Sequence, residues 1–247
     1  MLLKERKALV TGAGQGIGRA VARELAAHGA DVTVCDIDPQ TAGRTAEEVA
    51  AAGRQSLALT VDVTDHEAAV AAVARSVERF GRLDILVNNA GWDEVMPFAE
   101  TTADLWRKVI DINYKGVIHF SHAALQPMAE AGGGRIVNIA SDAGRVGSLG
   151  ETVYAGAKGA VIAFTKSLAR ETARHGIHVN CVCPGPTDTQ LFRSLPEKVR
   201  QALERAIPLR RVARPEEIAR AVVFFASPLA DYITGQTLSV SGGLTMC

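Results

Sequence analysis

The 247-residue sequence predicts an α/β fold: a single doubly wound parallel sheet with helices on both faces. Three observations carry that expectation. Short apolar runs recur without polar alternation, as strands buried on both faces require. Stretches with helical spacing separate them, giving connections long enough for parallel crossovers. The length lies within the range of one α/β domain, so residues 1–247 are expected to form a single unit.

The elements follow in order. Strand Ala8–Thr11 leads through a glycine-rich turn into helix Gly18–His28, then strand Asp31–Asp36, helix Thr41–Ala52 and strand Ser56–Val61. Helix Asp65–Phe80 carries the apolar stripe Val70, Val73, Val77 and Phe80, and Thr64 with Glu67 reads as its capping box. Strand Ile85–Asn88 precedes a long helical stretch, Thr102–Ala129, which Gly132-Gly133-Gly134 ends before strand Arg135–Ala140. Helix Val153–His175 follows, and Pro184-Gly185-Pro186 stops strand Ile177–Cys183 abruptly. Between residues 188 and 214 the rhythm lapses into short polar helical pieces, as in a lid over the carboxyl edge of a sheet. Helix Glu216–Ala226 and strand Gln236–Val240 complete the alternation.

The 27 Lys and Arg balance the 27 Asp and Glu, so no long-range field gathers nucleic acid or an anionic membrane, and a small-molecule partner is expected. No apolar run reaches the ~20 residues that span a bilayer, and Met1–Lys7 lacks the pattern of a signal peptide. A soluble, cytoplasmic protein is the expectation. Cys35, Cys181, Cys183 and Cys247 show neither zinc spacing nor disulfide density, so no metal site is expected, and Cys181 with Cys183 reads as buried thiols on one strand face.

Thr11-Gly12-Ala13-Gly14-Gln15-Gly16-Ile17-Gly18 opens the first helix. Absent Cβ atoms let backbone approach a pyrophosphate, and a helix N-terminus supplies free N–H donors and the positive end of the dipole. Standing between strand and helix, with Asp36 ending the second strand, the turn matches a dinucleotide-binding Rossmann unit, with Gly12, Gln15, Gly16, Ile17 and Gly18 at the cofactor. A carboxylate at Asp36 accepts hydrogen bonds from ribose hydroxyls and repels a 2′-phosphate. Position 15 is Gln rather than a cation, and no Arg or Lys directly follows Asp36, so NAD is expected rather than NADP.

Tyr154 and Lys158, four residues apart, share a helix face, where an ammonium favours the phenolate and lowers the tyrosine pKa toward working pH. Ser141 ends a strand at the edge where such sheets place ligands, so its hydroxyl is expected to hold a substrate oxygen. These motifs, with Asn88-Asn89-Ala90-Gly91, Asn113 and Pro184-Gly185 in order, resemble the short-chain dehydrogenase/reductase family along the whole chain. The resemblance implies that Tyr154 moves the proton, that Lys158 also holds the nicotinamide ribose, and that Asn113 fixes a water behind the lysine. It further implies cofactor contacts from Asp62, Val63, Asn89, Ala90, Gly91, Tyr154, Pro184, Gly185, Thr187 and Thr189, with Asn88 contacting the cofactor or bracing its strand. Family members are commonly homotetramers, which implies contacts through the tyrosine helix and the C-terminal strand.

Several segments, among them Asn89-Ala90-Gly91-Trp92-Asp93 and Cys183-Pro184-Gly185-Pro186-Thr187-Asp188-Thr189, resemble the 2-hydroxycyclohexanecarboxyl-CoA dehydrogenases of alicyclic acid degradation. That implies oxidation of a β-hydroxyacyl-CoA thioester with NAD. The 3-oxoacyl thioester reductases share the framework but commonly carry Arg where Gln15 stands and use NADPH; a simple-alcohol dehydrogenase and an idle NAD-binding sensor also remain open. Trp92, Val146 and Leu149 would line an apolar ring pocket or simply pack. Arg193, Lys198, Arg205, Arg210, Arg211 and Arg214 would meet coenzyme A phosphates or form a solvated face opposed by Glu197 and Glu204.

Overall fold

The computed structural model describes residues 1–246; Cys247, one of the four cysteines, lies outside the described residues. Seven parallel strands form one sheet in the order β3-β2-β1-β4-β5-β6-β7. They are β1 (Lys7–Thr11), β2 (Asp31–Asp36), β3 (Ser56–Thr60), β4 (Ile85–Asn88), β5 (Gly134–Ile139), β6 (Ile177–Pro184) and β7 (Thr237–Val240). The order reverses between β1 and β4, the crevice where sheets of this kind bind ligands.

Ten α-helices cover the sheet among the described residues: α1 (Gly16–Ala27), α2 (Pro39–Ala51), α3 (His66–Phe80), α4 (Ala103–Ile110), α5 (Gly116–Glu130), α6 (Ala143–Val146), α7 (Thr152–Thr172), α8 (Gln190–Arg193), α9 (Glu197–Ala206) and α10 (Pro215–Ala226). Because successive strand residues point to opposite faces, Val10 packs with Val21, Val49 and Val222 on one side while Leu9 packs with Val73, Phe120 and Leu168 on the other. Helices α1, α2 and α10 thus cover one face, and α3, α5 and α7 the other.

Two local expectations are corrected. Helix α3 is capped by Asp65, whose carboxylate accepts from Ala68 N at 3.1 Å; Thr64 instead donates its hydroxyl to Asp62 at 2.8 Å. A carboxylate already in place one residue later is the better acceptor, so the helix starts there. The stretch Thr102–Ala129 is not one regular helix: Thr102 caps α4, and a π-helical turn over Asp111–Lys115 separates it from α5.

Between β4 and β5 the interior is polar. Asn88 Nδ2 donates to Ser121 Oγ at 3.0 Å and to Asn138 Oδ1 at 2.8 Å, and Asn138 Nδ2 donates to Thr165 Oγ1 at 2.9 Å. All four side chains are buried, and the chain of bonds ties the two central strands to α5 and α7. Of the two roles expected for Asn88, bracing is the one its contacts fill.

Candidate active site

The turn from β1 into α1 is shaped by backbone crowding. Gly12 has φ +60° and Gly16 φ +53°, and a Cβ on Gly12 would stand 2.8 Å from the Ala90 Cα. Asn89 Nδ2 donates to the carbonyls of Thr11 (3.0 Å) and Gly12 (2.9 Å), while the Thr11 hydroxyl accepts from the backbone N–H groups of Asn89 and Ala90. The Asn89 side chain is therefore spent on holding the loop, and Ala90 lies against it, whereas Gly91 lies against Asn113 and Lys158. Thr11 entered the sequence reading only as the first residue of the glycine motif; its bracing role was not foreseen, since a threonine ending an apolar strand carries no signal for it.

Helices α2, α3 and α4 each start under a side-chain cap, from Asp38, Asp65 and Thr102. Helix α1 has none: Gln15 makes no capping bond, and its first turn holds no acidic residue. Open N–H donors beside a glycine cradle that Cβ atoms would fill suit a pyrophosphate. Asp36 ends β2 at this point, its carboxylate accepting from Gly14 N (2.8 Å) and Asp38 N (3.1 Å). Asp62 and Val63 follow β3 next door, where Val61 N donates to the Asp36 carbonyl at 2.8 Å. From the far side Thr189 reaches the loop, its Cγ2 lying 3.4 Å from a Cβ built on Gly16, while its hydroxyl caps α8. Pro184 ends β6, Gly185 presses against Ser241, and Thr187 donates its hydroxyl to the Gly185 carbonyl at 2.9 Å. The residues present fit a dinucleotide.

Ser141, Tyr154 and Lys158 meet beyond the carboxyl ends of β4 and β5. Lys158 is buried, its Nζ donating to the Ile139 carbonyl at 2.9 Å and lying 5.6 Å from the Tyr154 ring centre. Burial drives its pKa down to about 8. Ser141 Oγ accepts from Ala143 N at 3.1 Å and neighbours the Tyr154 hydroxyl.

The electrostatics of Tyr154 depart from expectation. Its pKa is raised, first by burial and then by the negative charge of Glu151, with the Ser141 hydroxyl acting in the opposite sense. The ammonium of Lys158, itself desolvated and turned to a carbonyl, does not prevail over burial as helix spacing alone suggested.

Asn113 sits at the centre of the π-helical turn, fully buried. Its amide donates to the carbonyls of Trp92 (2.6 Å) and Val109 (2.9 Å) and its oxygen accepts from Trp92 N at 3.3 Å. A Cβ on Gly91 would lie 2.9 Å from Asn113 Oδ1 and 3.4 Å from Lys158 Nζ, so the lysine, the asparagine and this strand of backbone touch at one point. Single-turn π insertions commonly mark functional sites.

Exposed apolar side chains stand among charged ones on the neighbouring loops. Val146 is well exposed, Leu149 is 100% exposed, and Val95 lies against Gly150, so the residues expected either to line a pocket or to pack are not all packed. Trp92 is half-buried beneath the Lys108 ammonium, 3.5 Å from its ring centre. Of the six basic residues expected to gather after Asp188, Arg193 pairs with Asp188 at 2.7 Å and Arg211 with Glu217 at 2.6 Å, while Arg214 lies 3.8 Å from Glu217. The opposing acids are thus Asp188 and Glu217, not Glu197 and Glu204.

Among the described residues no group of three His, Cys, Asp or Glu could hold a metal ion, and no helix is long and apolar enough to cross a membrane. A family model described as enoyl-(acyl carrier protein) reductase matches residues 12–245. The cis-4-hydroxycyclohexanecarboxylate dehydrogenase of Sinomonas cyclohexanicum is 43% identical over 242 residues, 98% of this chain and 97% of that protein. The 3-oxoacyl-(acyl-carrier-protein) reductase FabG of Vibrio harveyi is 41% identical over 246 residues, 100% of each. A solved 7α-hydroxysteroid dehydrogenase, complexed with NADH and 7-oxo glycochenodeoxycholic acid, superposes with a TM-score of 0.94 at 33% identity, covering 98% of this chain and 94% of that one. The chain belongs to the short-chain dehydrogenase/reductase family, oxidoreductases that interconvert secondary alcohols and ketones with a nicotinamide cofactor.

Proposed function

We propose that the protein oxidises a ring-borne secondary hydroxyl of an acyl substrate with NAD+, a β-hydroxyacyl-CoA such as 2-hydroxycyclohexanecarboxyl-CoA being the reading carried from its sequence. The observation that carries the chemistry is the meeting of Ser141, Tyr154 and Lys158 at one point of the carboxyl edge. Ser141 donates its hydroxyl proton toward the substrate oxygen and orients the carbinol. Tyr154, as phenolate, takes the hydroxyl proton, and Lys158 holds the proton count of the pair near neutrality because its own pKa is about 8. Bound oxidised nicotinamide supplies the hydride acceptor and a positive charge that favours the phenolate. Asn113, pinned to the backbone of Trp92, keeps the floor behind Lys158 in place.

Gly12, Gln15, Gly16, Ile17 and Gly18 would hold the pyrophosphate, and Asp36 the adenine ribose. Asp36 and the uncharged Gln15 support NAD over NADP. The alicyclic ring is supported by the exposed apolar rim of Val146 and Leu149 and by the 43% identical relative. A 3-oxoacyl reductase is the second reading, favoured by the FabG relative. The segment 188–214 would act as a lid within a single domain, since Thr187 and Ala213 pair as a parallel bridge and close its two ends together. A homotetramer is part of the same reading, and a native mass of one chain would overturn it.

The test is the appearance of NADH absorbance with NAD+ or NADP+ and either 2-hydroxycyclohexanecarboxyl-CoA or a straight-chain 3-hydroxyacyl-CoA. NAD+-dependent signal with the ring thioester supports the reading. Preference for the straight chain with NADP+ moves it to the reductases, and no turnover of either thioester overturns both.

A further inference from the structure

A second pair of ionisable groups lies beside the catalytic ones. The backbone after β4 runs over Lys158 at Gly91, is clamped by Asn113 at Trp92, and is zipped to the loop before α7 by Met96 N donating to the Gly150 carbonyl at 3.0 Å. Between the clamp and the zip stands Asp93, 8% exposed, whose Oδ2 has no hydrogen-bond partner. Glu151, the residue before α7, lies three positions ahead of Tyr154, and the Met96–Gly150 bond brings its loop beside that of Asp93, so that the two carboxyls are neighbours. Carboxylates only accept hydrogen bonds, so two of them in contact bond only through a shared proton.

Resting on the acyl-substrate reading above, we propose that Asp93 and Glu151 form a one-proton carboxyl pair beside Tyr154 that selects a neutral acyl carbonyl, as in a thioester or ester, over a free carboxylate. When a substrate binds, the protonated carboxyl turns its O–H from the other carboxylate to the carbonyl oxygen, one hydrogen bond exchanged for another, and the remaining negative charge repels an anion in a site with little water. The groups facing Asp93 are Glu94 on its own loop, Glu151 just before α7, and Tyr154 and Lys158 from α7, while Lys108 of α4 sits over the ring of the neighbouring Trp92. Burial and Glu151 push Asp93 up to about 7, so the pair gains its second negative charge as pH rises through neutrality. Both kinds of substrate then lose the donor, but only the carboxylate meets the added charge.

The probes are 2-hydroxycyclohexanecarboxylate and its ethyl ester, which differ in charge and share the ring and hydroxyl. Their ratio of kcat/KM cancels changes in the chemistry at Tyr154. In the unaltered enzyme the ester is expected to lead by about tenfold at about pH 6 and by more at about pH 8.5. In Asp93→Asn the ratio is expected not to vary with pH, and in Asp93→Asn/Glu151→Gln it is expected to approach unity. An ester oxidised with a ratio that is independent of pH in the unaltered enzyme, or unchanged in the double variant, overturns the pair's role alone. Cyclohexanol oxidised while neither ring acid nor ester is accepted overturns the acyl reading and this proposal with it.

Discussion

The two flanks of the cleft are held by different means. The glycine turn between β1 and α1 is fixed by close backbone packing and by part-buried side chains that bind its main chain, with Gly12 on Ala90 and the Asn89 amide donating to the carbonyls of Thr11 and Gly12. The excursion from Asp188 to Val212 is held by exposed side chains, chiefly Arg193 on Asp188 and Arg211 on Glu217, and neither α8 nor α9 contains a buried residue. It is rooted at its ends by the Thr187–Ala213 bridge and, further in, by Ile207, buried beneath Gly242, and by Leu209 N donating to the Gly242 carbonyl at 3.1 Å. A site shaped by backbone admits little variation in sequence; one shaped by solvated charge admits much. The first suits a cofactor of fixed form, the second a substrate that differs from one relative to the next.

The comparison can be sharpened first at the chemistry between the flanks. Tyr154→Phe is expected to lower kcat by about 10³-fold while NADH binding, followed by fluorescence, stays near that of the unaltered enzyme. A parallel loss of binding would mean that the cofactor also leans on the Tyr154 hydroxyl. Gly18→Ala puts a Cβ inside contact distance of the Gly12 carbonyl, with no flexible group to yield. It is expected to cost about 2–4 kcal/mol, seen as a fall in Tm of roughly 5 °C or more, together with weaker NADH binding.

On the NAD reading proposed above, Asp36→Asn removes a charge that would repel a 2′-phosphate. It is expected to raise KM for NAD+ by about tenfold and to narrow the preference over NADP+. Oxidation needs the Tyr154–Lys158 pair in its proton-accepting form, so kcat/KM is expected to rise with pH, bending near the Lys158 value of about 8, and ketone reduction to fall over the same range. On the other flank Arg193→Ala breaks an exposed ion pair and is expected to leave Tm within about 2 °C and KM for an acyl thioester within about threefold. A larger effect would show that the guanidinium leaves Asp188 to meet substrate.

The same contrast explains how much of the molecule was legible in its sequence. The alternation of β1 to β7 with the helices was written in periodicity, because buried strands and amphipathic helices each bear their own repeat. The glycine turn was legible because only glycine adopts φ +60° cheaply and leaves room for Ala90. Tyr154, Lys158 and Ser141 stood out through the ordered motifs of the family they resemble, and spacing and position supplied the physical reason for their roles. What spacing could not show was desolvation: burial raises Tyr154 and lowers Lys158, and burial is a property of the whole packed site. Asp93 and Glu151, far apart in sequence, escaped for the same reason, although Glu151 three residues before Tyr154 was a visible hint. The cap on α3 was misassigned to Thr64 because Asp65, one residue on, offers an acceptor as good or better.

The π-helical turn at Asp111–Lys115 is also a matter of counting. A residue advances a regular helix by about 100°, so the widened turn accommodates one residue that an even α-helix would have carried to another side. Removing a single residue there would let α4 and α5 merge into an unbroken and locally better-bonded rod. The same deletion would swing Asn113 away from Trp92 and leave the backbone over Lys158 without its clasp. In this stretch the chain keeps an irregular helix where a regular one lies one deletion away, and its reading frame of turns is set by where one amide must point.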